Sequence, residues 1–341
     1  MFVSSLTIAL TTMLSAGPDL DKSPQGTVWI ANRVSGTVSV IDVRRDEVVQ
    51  TLELPGAERP EPMYVFYSQR TDRVFVGDRG NDRVVAFDAT TREIVGEASA
   101  GEGVFHMWGS PATAQLWVNN DVDNTTSIID MRTLETVGAV DTPADLVAMG
   151  GKPHDVIVSP LGLLAYVTVI GVDGDTDWVV QYDTLSGEEI GRAEVGDDPH
   201  LSIAYGTRDL YVPAQGGDAV HVLDRLTLDE KAVIAVDNAH GAGMDLDGRT
   251  FFTTNIAGGG DGGLVKIDTR TMEVVAEPTD TPFPTPHNIA LTPSGNKLYV
   301  THSGMMADRV SIYRAAGRRG QPRLIGEVTV GRNPFGLAYV P

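Results

Sequence analysis

PHNIALTPSGNKLYVTH, residues 286–302, is two short apolar strands around a Pro-Ser-Gly turn, the composition of a tight antiparallel hairpin. A third strand, VSIYR (310–314), follows it. The same unit returns along the whole chain. The second strand recurs as VWIAN (28–32), VFVGD (74–78), LWVNN (116–120), AYVTV (165–169), LYVPA (210–214), FFTTN (251–255) and LYVTH (298–302). The third recurs as VSVID (38–42), VVAFD (84–88), TSIID (126–130), VVQYD (179–183), VHVLD (220–224), LVKID (264–268) and VSIYR (310–314). That is seven copies, and the second strand returns every 41 to 49 residues.

A fixed period of this length marks a repeat architecture. Four short strands per unit form one twisted blade with two apolar faces, which is stable only against its neighbours. The expected fold is therefore all-β, a seven-bladed β-propeller over residues 26–341. A β-helix or sandwich explains neither the long unit nor the ends. The chain enters at a second strand, VWIAN, and finishes on NPFGLAYVP (333–341), which matches a first strand. The C-terminal strand should complete the N-terminal blade and so remove the open edges.

Ahead of the repeats, residues 1–17 hold an apolar stretch from Leu6 to Leu14 followed by small residues. It is like a signal-peptide core without a basic leader or an A-x-A site, and it is too short to span a bilayer. Residues 18–25 read as a linker. Export to the periplasm or secretion is the expected location. The formal net charge of −20 disfavours nucleic acid and anionic lipid as partners. Its other reading is solubility alone. With no cysteine, thiolate sites and disulfides are excluded, so any metal must be held by His, Asp, Glu or backbone oxygen.

The start of each first strand gives the position that carries chemistry. Reading around the ring yields Met63, His106, His154, His200, His240, His287 and Phe335, so five of the seven histidines fall on this one slot. The first strand is innermost in a propeller, and its start lies at the channel mouth. The second strand returns to the same mouth 14 or 15 residues later, ending at Asn32, Asp78, Asn120, Val169, Ala214, Asn255 and His302. His106, His154, His200, His240, His287 and His302 are thus the expected ligand set. Asp155, Asp78, Asn288 and Asn120 are candidates to orient them. Arg33, Arg79, Asp78 and Lys152 are expected at the rim, where the cations either attract a small anion or are simply solvated. Phe105 and Trp108 flank His106 and either wall the pocket or fill the gap between blades. His221, in a third strand, reads as structural. The alternative for the ring is that duplication copied one ancestral histidine with no function attached.

Imidazoles converging without thiolate suit copper, iron, zinc or nickel. LYVT after TPSGNK, and the G-x-x-P element in GDDP (196–199) and GRNP (331–334), resemble the YVTN family of seven-bladed propellers. That resemblance implies fold and leaves function open. The histidine ring is similar to the copper sites of the nitrous oxide reductase propeller domain and of thiocyanate dehydrogenase. It implies copper, held by the histidines above, and an oxidoreductase acting on a small substrate with a redox partner protein. Met63 and Phe335 interrupt the ring, and no cupredoxin-like domain is expected. Carotenoid-cleaving oxygenases, with four propeller histidines on one iron, are a second resemblance, but this chain lacks their large loops. A non-catalytic binding or scaffold propeller of the cell envelope is the alternative function. A hydrolase or lyase using Mg or Ca ranks last, because the inner positions hold imidazole where carboxylates would be needed. AGGGDGG (257–263) and GVDGDTD (171–177) do not match EF-hand spacing.

Overall fold

A computed structural model describes residues 25–341 apart from 57–58, 111, 205 and 318–319. The expected signal-like segment and nearly all of the linker lie outside the described residues. Seven four-stranded antiparallel sheets form the ring of a β-propeller. The inner strands are Pro334–Val340, Pro62–Ser68, Val104–Gly109, Lys152–Val158, Ser202–Ile203, Ala239–Met244 and Pro286–Leu291, for blades one to seven. Closure is as the sequence predicts: Thr27 pairs with Val340, Trp29 with Ala338 and Asn32 with Pro334.

The aspartate that ends most third strands has a local cause. Asp42 Oδ1 accepts from the N–H groups of Arg44 and Arg45, Asp88 from Thr90 and Thr91, and Asp183 from Leu185 and Ser186. These Asx turns start the hairpin into the outer strand. The turn closes on a residue with positive φ, such as Asp46, Arg92 or Leu134, whose N–H returns to the aspartate carbonyl.

Between blades the middle strands present buried side chains on both faces. Trp29 meets Phe87 edge-on across blades one and two, with centroids 5.7 Å apart. Tyr211 and Phe251 pack at 4.9 Å across blades five and six. Burying residues of this size stabilises by about 1.5–3 kcal/mol each, and that packing fixes the inner strands around the axis.

Candidate metal centre

Strand register places the histidines more finely than their spacing does. In six blades a bulge interrupts the pairing of inner and second strands. Two residues of the inner strand then lie in the bulged interval. In blade four these are His154 and Asp155, between Pro153↔Val169 and Val156↔Val167. Blade six gives His240 and Gly241, and blade seven gives His287 and Asn288. Blade two gives Met63 and Tyr64, and blade one gives Phe335 and Gly336. Blade three pairs Val104 with Asn120 and Met107 with Val118, so its two residues are Phe105 and His106. This corrects the expected single slot. His106 occupies the second position, and Phe105 stands where its neighbours place imidazole. Blade five lacks the bulge, and His200 follows Pro199, which bridges to Ala214.

The first-position rings nevertheless form a closed circle. His154–His200 centroids lie 4.8 Å apart, His200–His240 3.9 Å and His240–His287 4.6 Å. His287–Phe335 follow at 4.2 Å, Phe335–Phe105 at 6.2 Å and Phe105–His154 at 5.0 Å. His106 adjoins the circle, 5.0 Å from His154 and 5.5 Å from His200. Tyr64 covers its other face at 3.7 Å. Trp108 packs instead into the cores between blades.

One ligand atom from each of His106, His154 and His200 lies within 4.8 Å of the other two. His154 Nε2 and His200 Nε2 are 3.1 Å apart. Donors about 2.1 Å from a shared ion stand roughly 3–4 Å from each other, so these three residues can hold a metal. Buried nitrogens without a hydrogen-bond partner point the same way: His106 Nε2, His200 Nδ1 and His240 Nε2. A buried imidazole nitrogen left so is costly.

Neighbours set the tautomers. His106 Nδ1 lies 2.9 Å from Asp155 Oδ1, and a proton on the nitrogen facing that carboxylate leaves the Nε2 lone pair free to ligate. His240 Nδ1 donates to Gln215 Oε1 at 2.9 Å and likewise frees Nε2. His287 is different. Asn288 Nδ2 donates to its Nδ1 at 3.0 Å, so Nε2 carries the proton and His287 offers the funnel an N–H. Burial holds His106, His154, His240 and His287 well below the usual histidine range, with neighbouring imidazoles adding to it. His200 is also lowered by burial. The rings are therefore neutral at pH 7, the form that binds metal. Burial pushes Asp155 up to about 6, and burial with Asp197 does the same for Asp198.

Other expected site residues are placed elsewhere. His302 does not join the circle: its Nδ1 donates to Pro284 O at 3.0 Å, and its Nε2 meets Ser311 Oγ at 2.8 Å. Since a carbonyl only accepts, Nδ1 is the donor, and both nitrogens are used. Asn32 and Asn120 do the same job in their blades, donating to Ser39 and Ser127 of the third strand. Asp78 is fully buried and accepts from Glu61 N, Asn81 Nδ2 and Arg83 Nε, so it ties a turn and leaves the rim. Arg79 pairs with Asp121 at 2.8 Å and lies over Phe105. Arg33 pairs with Glu61 at 2.5 Å and lies over Phe335. Lys152 is exposed. His221 is structural, meeting Glu230 and the N–H of Gly196. Gln215 and Tyr64 were not legible as site residues, since each depends on the register of a neighbouring blade.

No protein-family model and no curated protein matches the chain. Among solved structures it is similar to a chain of Kuenenia stuttgartiensis hydrazine synthase, 18% identical, covering 84% of this chain and 93% of that one with a TM-score of 0.68. Dihydro-heme d1 dehydrogenase NirN in complex with DHE is 14% identical, covering 97% of this chain and 78% of that one with a TM-score of 0.65. At these identities the likeness is one of fold. No helix among the described residues is long and apolar enough to cross a membrane.

Proposed function

We propose that this propeller is a metal-dependent oxidoreductase of the periplasm or cell exterior, with copper as its metal and iron or zinc as alternatives. His106, His154 and His200 are its ligands, and His240 and His287 line the same funnel. The observation that carries this reading is the meeting of three neutral imidazoles from three blades within 4.8 Å, two of them buried and His154 partly so. An all-imidazole set suits copper, which also binds most tightly in the divalent series. The bound metal would supply redox and Lewis-acid chemistry to a small substrate.

The chain's own residues then have defined parts. Asp155 and Gln215 hold imidazole tautomers, His287 donates its Nε2 proton to an acceptor atom in the funnel, and Phe105 and Phe335 exclude water on the remaining side. Arg33 and Arg79 at the edge favour a small anion, and a redox partner protein exchanges electrons at this face. One of the similar propellers is itself named a dehydrogenase. The repeat sequence supports placing the chain with YVTN-type propellers.

Elemental analysis after growth with added copper and iron tests the reading. About one transition-metal ion per chain is expected, lost in His154→Ala and retained in His302→Asn. A metal-free wild-type protein would leave a non-catalytic binding propeller.

A further inference from the structure

His240 and His287 lie side by side on the inner strands of blades six and seven, outside the group of three that can share an ion. Their rings are stacked, with centroids 4.6 Å apart and planes 23° from parallel. Both are buried, and a buried threonine ties the two strands together. Thr254 Oγ1 accepts from Gly241 N at 2.8 Å and donates to His287 O at 3.0 Å. The two Nδ1 atoms are engaged in opposite senses. Gln215 Oε1 accepts from His240 Nδ1, so His240 Nε2 is a lone pair, and it is buried without a hydrogen-bond partner. Asn288 Nδ2 faces His287 Nδ1 at 3.0 Å and Phe335 O at 3.4 Å. A carbonyl only accepts, so this is the donor end of the amide, and the proton of His287 sits on Nε2. No acceptor among the described residues bonds that N–H. In-plane groups on nearly parallel rings do not point at one another, so the two Nε2 atoms leave one acceptor and one donor for a third party.

We propose that His240 and His287 are the substrate-binding half of the funnel and select a small oxygen compound that carries a hydroxyl beside an acceptor oxygen; this rests on reading the funnel as a substrate site. The acceptor oxygen takes the Nε2 proton of His287 in a hydrogen bond, and the hydroxyl donates to Nε2 of His240. Phe335, 4.2 Å from His287 on its other side, brings no competing polar group. A molecule of the same shape without the hydroxyl sets an oxygen lone pair against that of His240 and leaves both unpaired in a buried place. Sites that demand a hydrogen bond reject such analogues strongly, because the protein's own polar group is then stranded. The Thr254 bridge holds the two rings in place before the ligand arrives, which is what lets one acceptor and one donor act as a pair.

The test uses the full chain, stripped with a chelator, and titrates it calorimetrically at pH 8 with hydrogencarbonate and with nitrate. The two probes share a charge and a flat three-oxygen shape, and only hydrogencarbonate carries the proton. Wild type should bind hydrogencarbonate more tightly by about tenfold or more. His240→Phe should bring the two affinities together, while His287→Phe should weaken both alike by about tenfold, since both probes accept from that N–H. Damage to the fold would not separate the two effects. Absence of hydrogencarbonate binding, nitrate bound as tightly, or a preference that survives His240→Phe overturns the assignment. The titrations contain no metal, so copper loading judges the three-histidine centre separately. A chain that loads copper without this preference loses the present assignment alone. A chain that loads none loses the metal reading, and the titration still decides this pair.

Discussion

Acidification should unfold the metal-free protein far more steeply than its surface charge suggests. His106, His154, His200, His240 and His287 are held below the usual histidine range, and His302 is pushed down to about 4. In the unfolded chain each titrates near 6.5. Unfolding below that pH therefore takes up protons, and stability present above pH 6.5 is lost as pH falls. Asp155, Asp177 and Asp198 oppose this, because burial raises each to about 6 and the folded state binds their protons first between about pH 6 and 4. Six histidines against three carboxyls leave a net uptake of at most about three protons near pH 5, a slope of up to about 4 kcal/mol per pH unit. Against a total stability of about 5–15 kcal/mol, a slope of that size is a large share over the interval from pH 6.5 to 5. Urea denaturation at half-unit steps from pH 8 to 5 measures the slope. His302→Asn gives a single-site check. Its histidine contributes about 2 kcal/mol of loss at pH 5, and the variant copies the Asn32 arrangement, so its acid sensitivity should fall by that amount. A slope below about 1.4 kcal/mol per pH unit, the value for one proton, would refute the claim that the buried rings are neutral in the fold.

Metal removal should lower the melting temperature. Copper at 100 times its dissociation constant stabilises by about 2.7 kcal/mol, so calorimetry with and without chelator should show a shift of several degrees. Lys266 donates Nζ to the carbonyls of Ala315, Gly317 and Gly320 from a buried position. Lys266→Met should cost about 3 kcal/mol by leaving those carbonyls unpaired, measured in urea, with metal content unchanged. Deleting residues 334–341 removes the inner strand of blade one and exposes the edge of Thr27–Asn32. Broadened, less cooperative thermal unfolding should result, and a sharp wild-type-like transition would contradict closure through that strand.

The ring was legible because each blade repeats the same hairpin chemistry and both chain ends complete one blade. The site was legible only in outline. Counting residues put His106 in the shared slot because blade three carries Val104 where most blades carry proline. The interval of 14 residues from His106 to Asn120, against 15 from His154 to Val169, was the available signal. It is ambiguous, since His200 to Ala214 shows the same 14 for a different reason, a missing bulge. His302 was misplaced by position alone. It ends its second strand as Asn32 and Asn120 do, and like them it reaches a serine of the third strand. Of the groups expected to orient imidazoles, Asp155 and Asn288 do so, while Asp78 and Asn120 tie turns of their own blades.

The paired positions on the inner strands bear on whether these histidines are relics of duplication. Copying one ancestral histidine would repeat its surroundings along with it, yet the following position varies around the ring, from Tyr64 and Asp155 to Asn288, Gly241 and Gly336. Asp155 brings a carboxylate 2.9 Å from His106 of the neighbouring blade, and Asn288 fixes the tautomer of His287. Gly241 and Gly336 have no side chain because none fits: a Cβ at Gly241 would lie 2.0 Å from His287 O, and one at Gly336 2.6 Å from Tyr64 Cα. These second positions thus either face an imidazole or make room for the adjacent strand. Such division of labour, varying around the ring yet directed at one circle of rings, is what a site needs if several blades are to present neutral nitrogens to a common point. A copied residue without a task would have no reason to acquire partners that differ around the ring.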